Sequence, residues 1–144
     1  MSASLDPHHV IDKAIIRNYT VQSGQTVRGG FAVKLASDDQ EVLEAGANSE
    51  LAIGVARGIG KTYAAGASVE VVHGPAIAEM VVGTGGITRG KDVRMISDGI
   101  TDVPAWDAAG GTVVPVIGKA LQSAVAVDAV GVFIPGGLSY RIAT

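Results

Sequence analysis

Gly60-Lys61-Thr62 are the closing letters of the phosphate-cradling pattern G-x-x-x-x-G-K-[ST], in which backbone N–H groups curl around phosphates and the lysine reaches the terminal ones. The position that should carry the first glycine is Val55; Gly54 is one residue too far upstream and Gly58 three too near. A working phosphate loop also joins a strand to a helix N-terminus, whose free N–H groups complete the anion site. Thr62 instead leads into YAAGASVEVV, a glycine turn and then a strand pattern. The GKT letters therefore read as a surface connection, with nucleotide binding kept as the least favoured alternative. His8 and His9 are adjacent and near the chain start, so a metal site there needs further ligands from elsewhere. Glu70 and His73 lie three apart in a strand pattern and point to opposite faces, which prevents them forming a dyad. No G-x-S-x-G, H-E-x-x-H or EF-hand pattern occurs, and GTGGITRG at 83–90 runs into the strand pattern DVRMI instead of a helix. No catalytic residue, cofactor or metal is expected.

The elements that position these residues repeat with a period of two. FAVKL places Phe31, Val33 and Leu35 opposite Ala32 and Lys34, and LAIGV places Leu51, Ile53 and Val55 opposite Ala52 and Gly54. SVEVV, EMVV, DVRMI, IGKAL and VGVFI continue the pattern, separated by HGP, GTGG, SDG and IPGG. Short strands with almost no helical stretch between them predict an all-β fold, a compact antiparallel barrel or sandwich. Pro115, inside VVPVIG, belongs at a sheet edge or a bulge. Two segments leave helix open: Asp6-Pro7 followed by HHVIDKA, which is equally readable as an extended arm over residues 1–14, and one turn around Trp106.

The strand blocks also recur in order. TVRGGFAVKL, IGVA and VEVVHG precede ITRGKDVRMI, IGKA and VGVFIPG, with Arg28 and Arg89 61 residues apart, Ile53 and Ile117 64, and Val69 and Val130 61. This reads as an internal repeat over about 15–75 and 76–137 within a single β domain at 15–144. The segment RGIGKTYAAGAS is then three residues longer than its counterpart LQSAVAVDA.

The chain has 144 residues, enough for one domain with a sizeable core, and its lack of cysteine excludes disulfides and thiolate chemistry. A net charge of -3 with 11 scattered basic residues argues against a nucleic-acid footprint. No apolar run reaches the roughly 18 residues of a membrane span, and the N-terminus lacks a secretory pattern. Charged residues make up 17%, against about 25% in an ordinary domain, which points to apolar surface covered by copies of the chain or by a partner.

The run RNYTVQSGQTV, GGFAVKL, IGVA, AAGASVEVVHGP, GGITRGKDVRM, IGKAL and VGVFIPGG resembles the capsid decoration, or cement, proteins of tailed bacteriophages, over roughly residues 16–137. The resemblance implies a structural protein of the virion, without enzymatic activity. Such a protein assembles in the host cytoplasm onto the outside of an icosahedral head, as a trimer in preference to a dimer, and clamps adjacent major capsid subunits. The segment before Arg17 departs from that pattern and is expected to act as an arm. Candidate interaction residues are Pro7, His8, His9, Val10 and Ile11 in the arm, Arg57, Lys61 and Tyr63 in the long connection, and Trp106. A carbohydrate or host-surface binding module is the alternative, resting on Tyr63, Trp106 and Asp107.

Overall fold

β-Branched residues on a two-residue period favour the pleated, half-buried surface of a sheet over a helix, and among the described residues the fold contains no helix. The computed structural model describes residues 15–46, 52–103, 113–135 and 139–142. The expected arm at 1–14, with Pro7, His8, His9, Val10 and Ile11, lies outside them, as does Trp106.

The first module runs from 15 to 73 and holds β1 (Ile15–Val21), β2 (Val27–Arg28), β3 (Ala32–Leu35), β4 (Glu41–Glu44), β5 (Ala52–Ala56), β6 (Thr62–Tyr63) and β7 (Ser68–His73). Five of these close a barrel in the order β1-β4-β3-β5-β7, while β2 and β6 form a separate ribbon. The second module, 76 to 134, contributes β8 (Ala76–Val81), β9 (Asp92–Ile96), β10 (Gly99–Asp102), β12 (Gly118–Ala120) and β13 (Ala129–Ile134), in the sheet order β10-β9-β12-β13-β8. With β1, β3, β4, β5 and β7 matched to β8, β9, β10, β12 and β13, the two orders are the same. The remaining strands, β11 (Val113–Val116) and β14 (Ser139–Ile142), pair only with each other among the described residues and place Pro115 opposite Tyr140. Pro115 thus sits in a two-stranded ribbon, where its missing N–H interrupts no central ladder.

The barrel is not purely antiparallel as expected. Strand direction cannot alternate around a ring of five, so at least one neighbouring pair must run parallel. In the first module this is β1 with β4, through Thr20↔Glu41 and Val21↔Val42. In the second, a single parallel bridge between Val82 and Ile100 brings the outer strands together.

Side-chain placement follows the pairing. Val21, Val33, Val42, Val69 and Val71 fill the first barrel, and Val82, Val93, Ile100, Val130 and Val132 take the matching places in the second. The expected alternation in FAVKL fails around Val33. Ala32 is buried on the opposite face of β3, Phe31 is buried just before the strand, and Leu35 is 55% exposed at its end. Phe31, Ala32, Val55 and Val72 all join the second module's core instead of the first. β3, β5 and β7 are therefore covered on both faces, by their own barrel and by the other module, and two-sided burial erases the alternation. Between Val33 and Lys34 the register also shifts, so that Lys34 lies opposite Ala52 and Ile53 is skipped.

The connection before β7 and its counterpart before β13 are built alike. Gly66 donates its N–H to the Val21 carbonyl at 2.8 Å, and Val127 donates to the Val82 carbonyl at 2.8 Å. Gly66 has φ 81° and Val127 φ 66°, so the second module holds a β-branched residue in the left-handed region. That conformation costs roughly 1–2 kcal/mol, and Val127 recovers little by packing because it is 86% exposed. Val127→Gly is expected to raise stability by about 0.5–1 kcal/mol, the strain relieved minus glycine's extra unfolded-state entropy. The reciprocal Gly66→Val loses about 1–2 kcal/mol. Urea midpoints of the two variants read both signs.

Candidate interaction surface

Arg57, Lys61 and Tyr63 lie after β5 in the connection to β7, and the structure brings them to the rim of one depression of about 380 Å³, beside Asn18, Ser68 and Glu70. The connection is not a free loop. Thr62 and Tyr63 form β6, opposite Arg28 and Val27 of β2, and Lys61 offers its carbonyl to the Gly29 N–H at 2.9 Å. The Lys61 N–H is used within the turn, donating to the Gly58 carbonyl at 2.9 Å. Lys61 runs directly into strand β6, so the segment lacks the strand-to-helix geometry of a phosphate cradle. Arg57 Nη1 donates to Glu70 Oε2 at 2.6 Å, and the Tyr63 hydroxyl donates to the Arg57 carbonyl at 2.8 Å. These polar groups hold the connection against the barrel.

A second groove, of about 430 Å³, lies at the junction of the modules. Its walls include Ile16, Ile59 and Ile77, which are 45%, 39% and 38% exposed, with Arg57 and Glu79 at its edge. Sequence patterning does not single out these isoleucines, because their proximity depends on how one module packs against the other.

Two further clusters are structural. Arg28 grips Glu44 with two hydrogen bonds, Nε to Oε2 at 3.0 Å and Nη2 to Oε1 at 2.8 Å, and stacks 3.8 Å from the Phe31 ring centre. Its Nη2 also donates to the Ser97 carbonyl of the second module at 2.9 Å. Hydrogen bonding to Glu44 raises the Arg28 pKa against the opposing effect of burial, with the Glu44 and Asp98 charges adding to the rise. The Arg28 backbone N–H meets Glu44 Oε2 at 2.7 Å, as the Thr88 N–H meets Asp102 Oδ1 at 2.9 Å. Thr88, one residue before Arg89, is thus the structural counterpart of Arg28. In the β8–β9 connection the Thr84 hydroxyl donates to Asp98 Oδ2 at 2.5 Å, and this bond leads the causes that hold the Asp98 carboxyl below its ordinary pKa.

Tyr19 and His73 form the other cluster. The antiparallel register of β1 and β7 sets Tyr19 opposite Val69 and Ile15 opposite His73. Tyr19 Oη lies 2.9 Å from His73 Nε2, with the rings tilted by 44°. Burial lowers the His73 pKa, the nearby Arg17 charge lowers it further, and a hydrogen bond to the Ile53 carbonyl acts in the opposite direction. The folded state therefore disfavours the imidazolium relative to the unfolded chain. This contribution is fully present above the unfolded value of about 6.5 and is lost as pH falls through the lower folded value. Melting temperature should decline on acidification below about pH 6.5, and His73→Gln should flatten the part of that decline due to histidine. Thermal melts of both proteins in matched buffers measure the difference.

Among the described residues no group of three or more His, Cys, Asp or Glu could hold a metal ion. No protein-family model and no curated protein matches the sequence. A solved structure does match in fold: the N-terminal base of head fiber gp8.5 from bacteriophage phi29, with a TM-score of 0.57 and 17% identity. The alignment covers 88% of this chain and 100% of that one. The chain shares the fold of that base. Because the match covers 88% of this chain, it takes in both modules instead of a single small barrel. At 17% identity the likeness lies in the path of the backbone, so site residues are not carried across.

Proposed function

We propose that this chain is a structural protein of a bacteriophage head, an oligomer that binds the outer surface and joins adjacent major capsid subunits without catalysing a reaction. The observation that carries the proposal is the shared fold with a head fiber base, matched along that base's entire length. The sequence resemblance to decoration proteins supports the same reading by a separate route. The side chains support it too: Arg57 is engaged by Glu70 and Tyr63, and Arg28, held by Glu44, reaches the Ser97 carbonyl of the second module. Attachment to a capsid needs many modest contacts repeated over a symmetric lattice, so that occupancy arises from avidity instead of one deep pocket.

The test is co-sedimentation of the purified chain with heads of its own phage that lack it. Saturable binding, at a fixed number of copies per head, is expected. Absence of binding at micromolar concentration counts against the proposal. Removing residues 1–14 is expected to lower occupancy at sub-saturating concentration while the β-sheet circular dichroism stays unchanged; equal occupancy would rule out a role for the arm.

A further inference from the structure

The groove at the module junction continues into a longer apolar band. Ile16, Ile59 and Ile77 share the groove, and Ile77 lies directly opposite Phe133 in the β8–β13 ladder. Beside this pair, a methyl placed on Gly131 would sit 3.4 Å from Ile77 Cγ2 and 3.8 Å from Leu121 Cδ1, so Leu121 closes the band on its far side. Leu121 and Phe133 are 42% and 40% exposed. Five large apolar side chains drawn from both modules thus line one surface. Solvent-facing apolar residues scattered singly are ordinary, whereas a contiguous set with a polar edge marks a contact site.

The internal repeat indicates what such a face fits. Ile77 and Phe133 are the counterparts of Ile16 and Val72, which are likewise opposite each other, in the β1–β7 ladder. In the first module the Val72 end of that side is covered, while Ile16 stays at the open groove: Val72 keeps 9% exposure and joins the core of the second module, with Ala32 and Val55 beside it. A module of this same fold is therefore a surface to which this kind of face is already fitted. The band's edge carries both signs of charge, Arg57 and Glu79 at the groove and Lys119 beside Phe133, so that identical copies can meet without net repulsion.

We infer that the band Ile16–Ile59–Ile77–Phe133–Leu121 is the surface by which one copy of this chain binds a second copy. The inference rests on the proposed head-protein reading only for its setting, since self-association is measurable without a capsid. The full chain is to be compared by sedimentation velocity with Ile77→Lys and Phe133→Lys, both at solvent-facing positions of formed strands. The unaltered chain is expected to sediment as more than one copy at micromolar concentration, and each variant to shift to the single-copy mass with unchanged circular dichroism. An unaltered chain that stays at the single-copy mass, or folded variants that keep the assembled mass, would overturn the inference. Since the sequence has no cysteine, Leu121→Cys carrying a fluorophore provides a second readout if the lysine variants do not fold. Self-quenching that rises with concentration supports contact between copies, and a constant signal counts against it. If the single-copy chain binds heads and Phe133→Lys abolishes that binding, the band belongs to a capsid contact. The head-protein reading then stands while this inference falls; an assembly that ignores heads gives the reverse.

Discussion

Gly54→Ala and Gly118→Ala are each expected to destabilise the fold by about 3 kcal/mol, near the top of the usual overpacking range. Gly54 lies in β5 opposite Val33, and a methyl on it would run into the Val72 carbonyl oxygen and the Val71 side chain. Gly118 lies in β12 opposite Val93, and its methyl would run into the Phe133 carbonyl oxygen and the Val132 side chain. In both cases the obstacle includes backbone of the neighbouring strand, which cannot rotate away. Relief requires that β7 or β13 move off its ladder. The matched environments predict losses of similar size, seen as a fall in melting temperature of roughly 10 °C for a chain of this length. Gly131→Ala is the control, because its methyl would meet only side-chain atoms at ordinary contact distance, and a change within about 0.5 kcal/mol is expected. If Gly54→Ala and Gly118→Ala melt like the parent chain, the close approach of these strands is wrong.

Those two glycines also show how much of the fold is legible in the sequence. They stand in the repeated IG-x-A blocks, and matching the blocks pairs Gly54 with Gly118 before any strand is placed. The all-β class is readable for a similar reason: period-two blocks of β-branched residues between glycine and proline turns have few alternatives. The parallel closure of the barrel is not readable, because it depends on the number of strands in the ring, which no local pattern records. The Tyr19–His73 contact depends on the β1–β7 register, and the Arg28–Ser97 contact on how the modules dock. Arg57, Lys61 and Tyr63 stand out by their place in the longer connection, and they do gather in space. The larger apolar band has no such signature, because its members come from two modules and five separate segments. Pairing Arg28 with Arg89 matches letters correctly but misses the structural counterpart, Thr88, by one position.

The two modules also differ in where charge is placed. Ala32 and Val55 form a cross-strand pair between β3 and β5, buried where the first module meets the second. The corresponding pair between β9 and β12 is Asp92 and Lys119, whose carboxylate and ammonium lie 3.3 Å apart. With Lys119 more than half exposed, that ion pair contributes little to stability. At the place of Val72, buried within the chain, the second module carries Phe133, which is 40% exposed and lies opposite Lys119.

Phe31→Ala should cost about 3–4 kcal/mol, within the range for removing a buried aromatic side chain. Phe31 retains 4% exposure and belongs to the core that contains Met80, Ile100 and Val132 of the second module, although it precedes a strand of the first. Arg28 covers its ring from the other side, fixed by Glu44 and Ser97. The aromatic ring therefore fills space between two barrels, and alanine leaves a cavity at their joint instead of in either centre. Because the second core continues across this joint, the parent chain is expected to unfold in a single transition, with calorimetric and van't Hoff enthalpies in agreement. Phe31→Ala weakens the coupling and lowers the melting temperature together. A variant that melts in two steps, with the 15–73 module separating from the rest, would locate the lost energy at the seam. If the variant melts in one step within about 2 °C of the parent, a shift worth only about 0.5 kcal/mol, the ring contributes nothing to the joint, and docking of the modules must rest on the other contacts across it, among them Ala32, Val55, Val72 and the Arg28–Ser97 hydrogen bond.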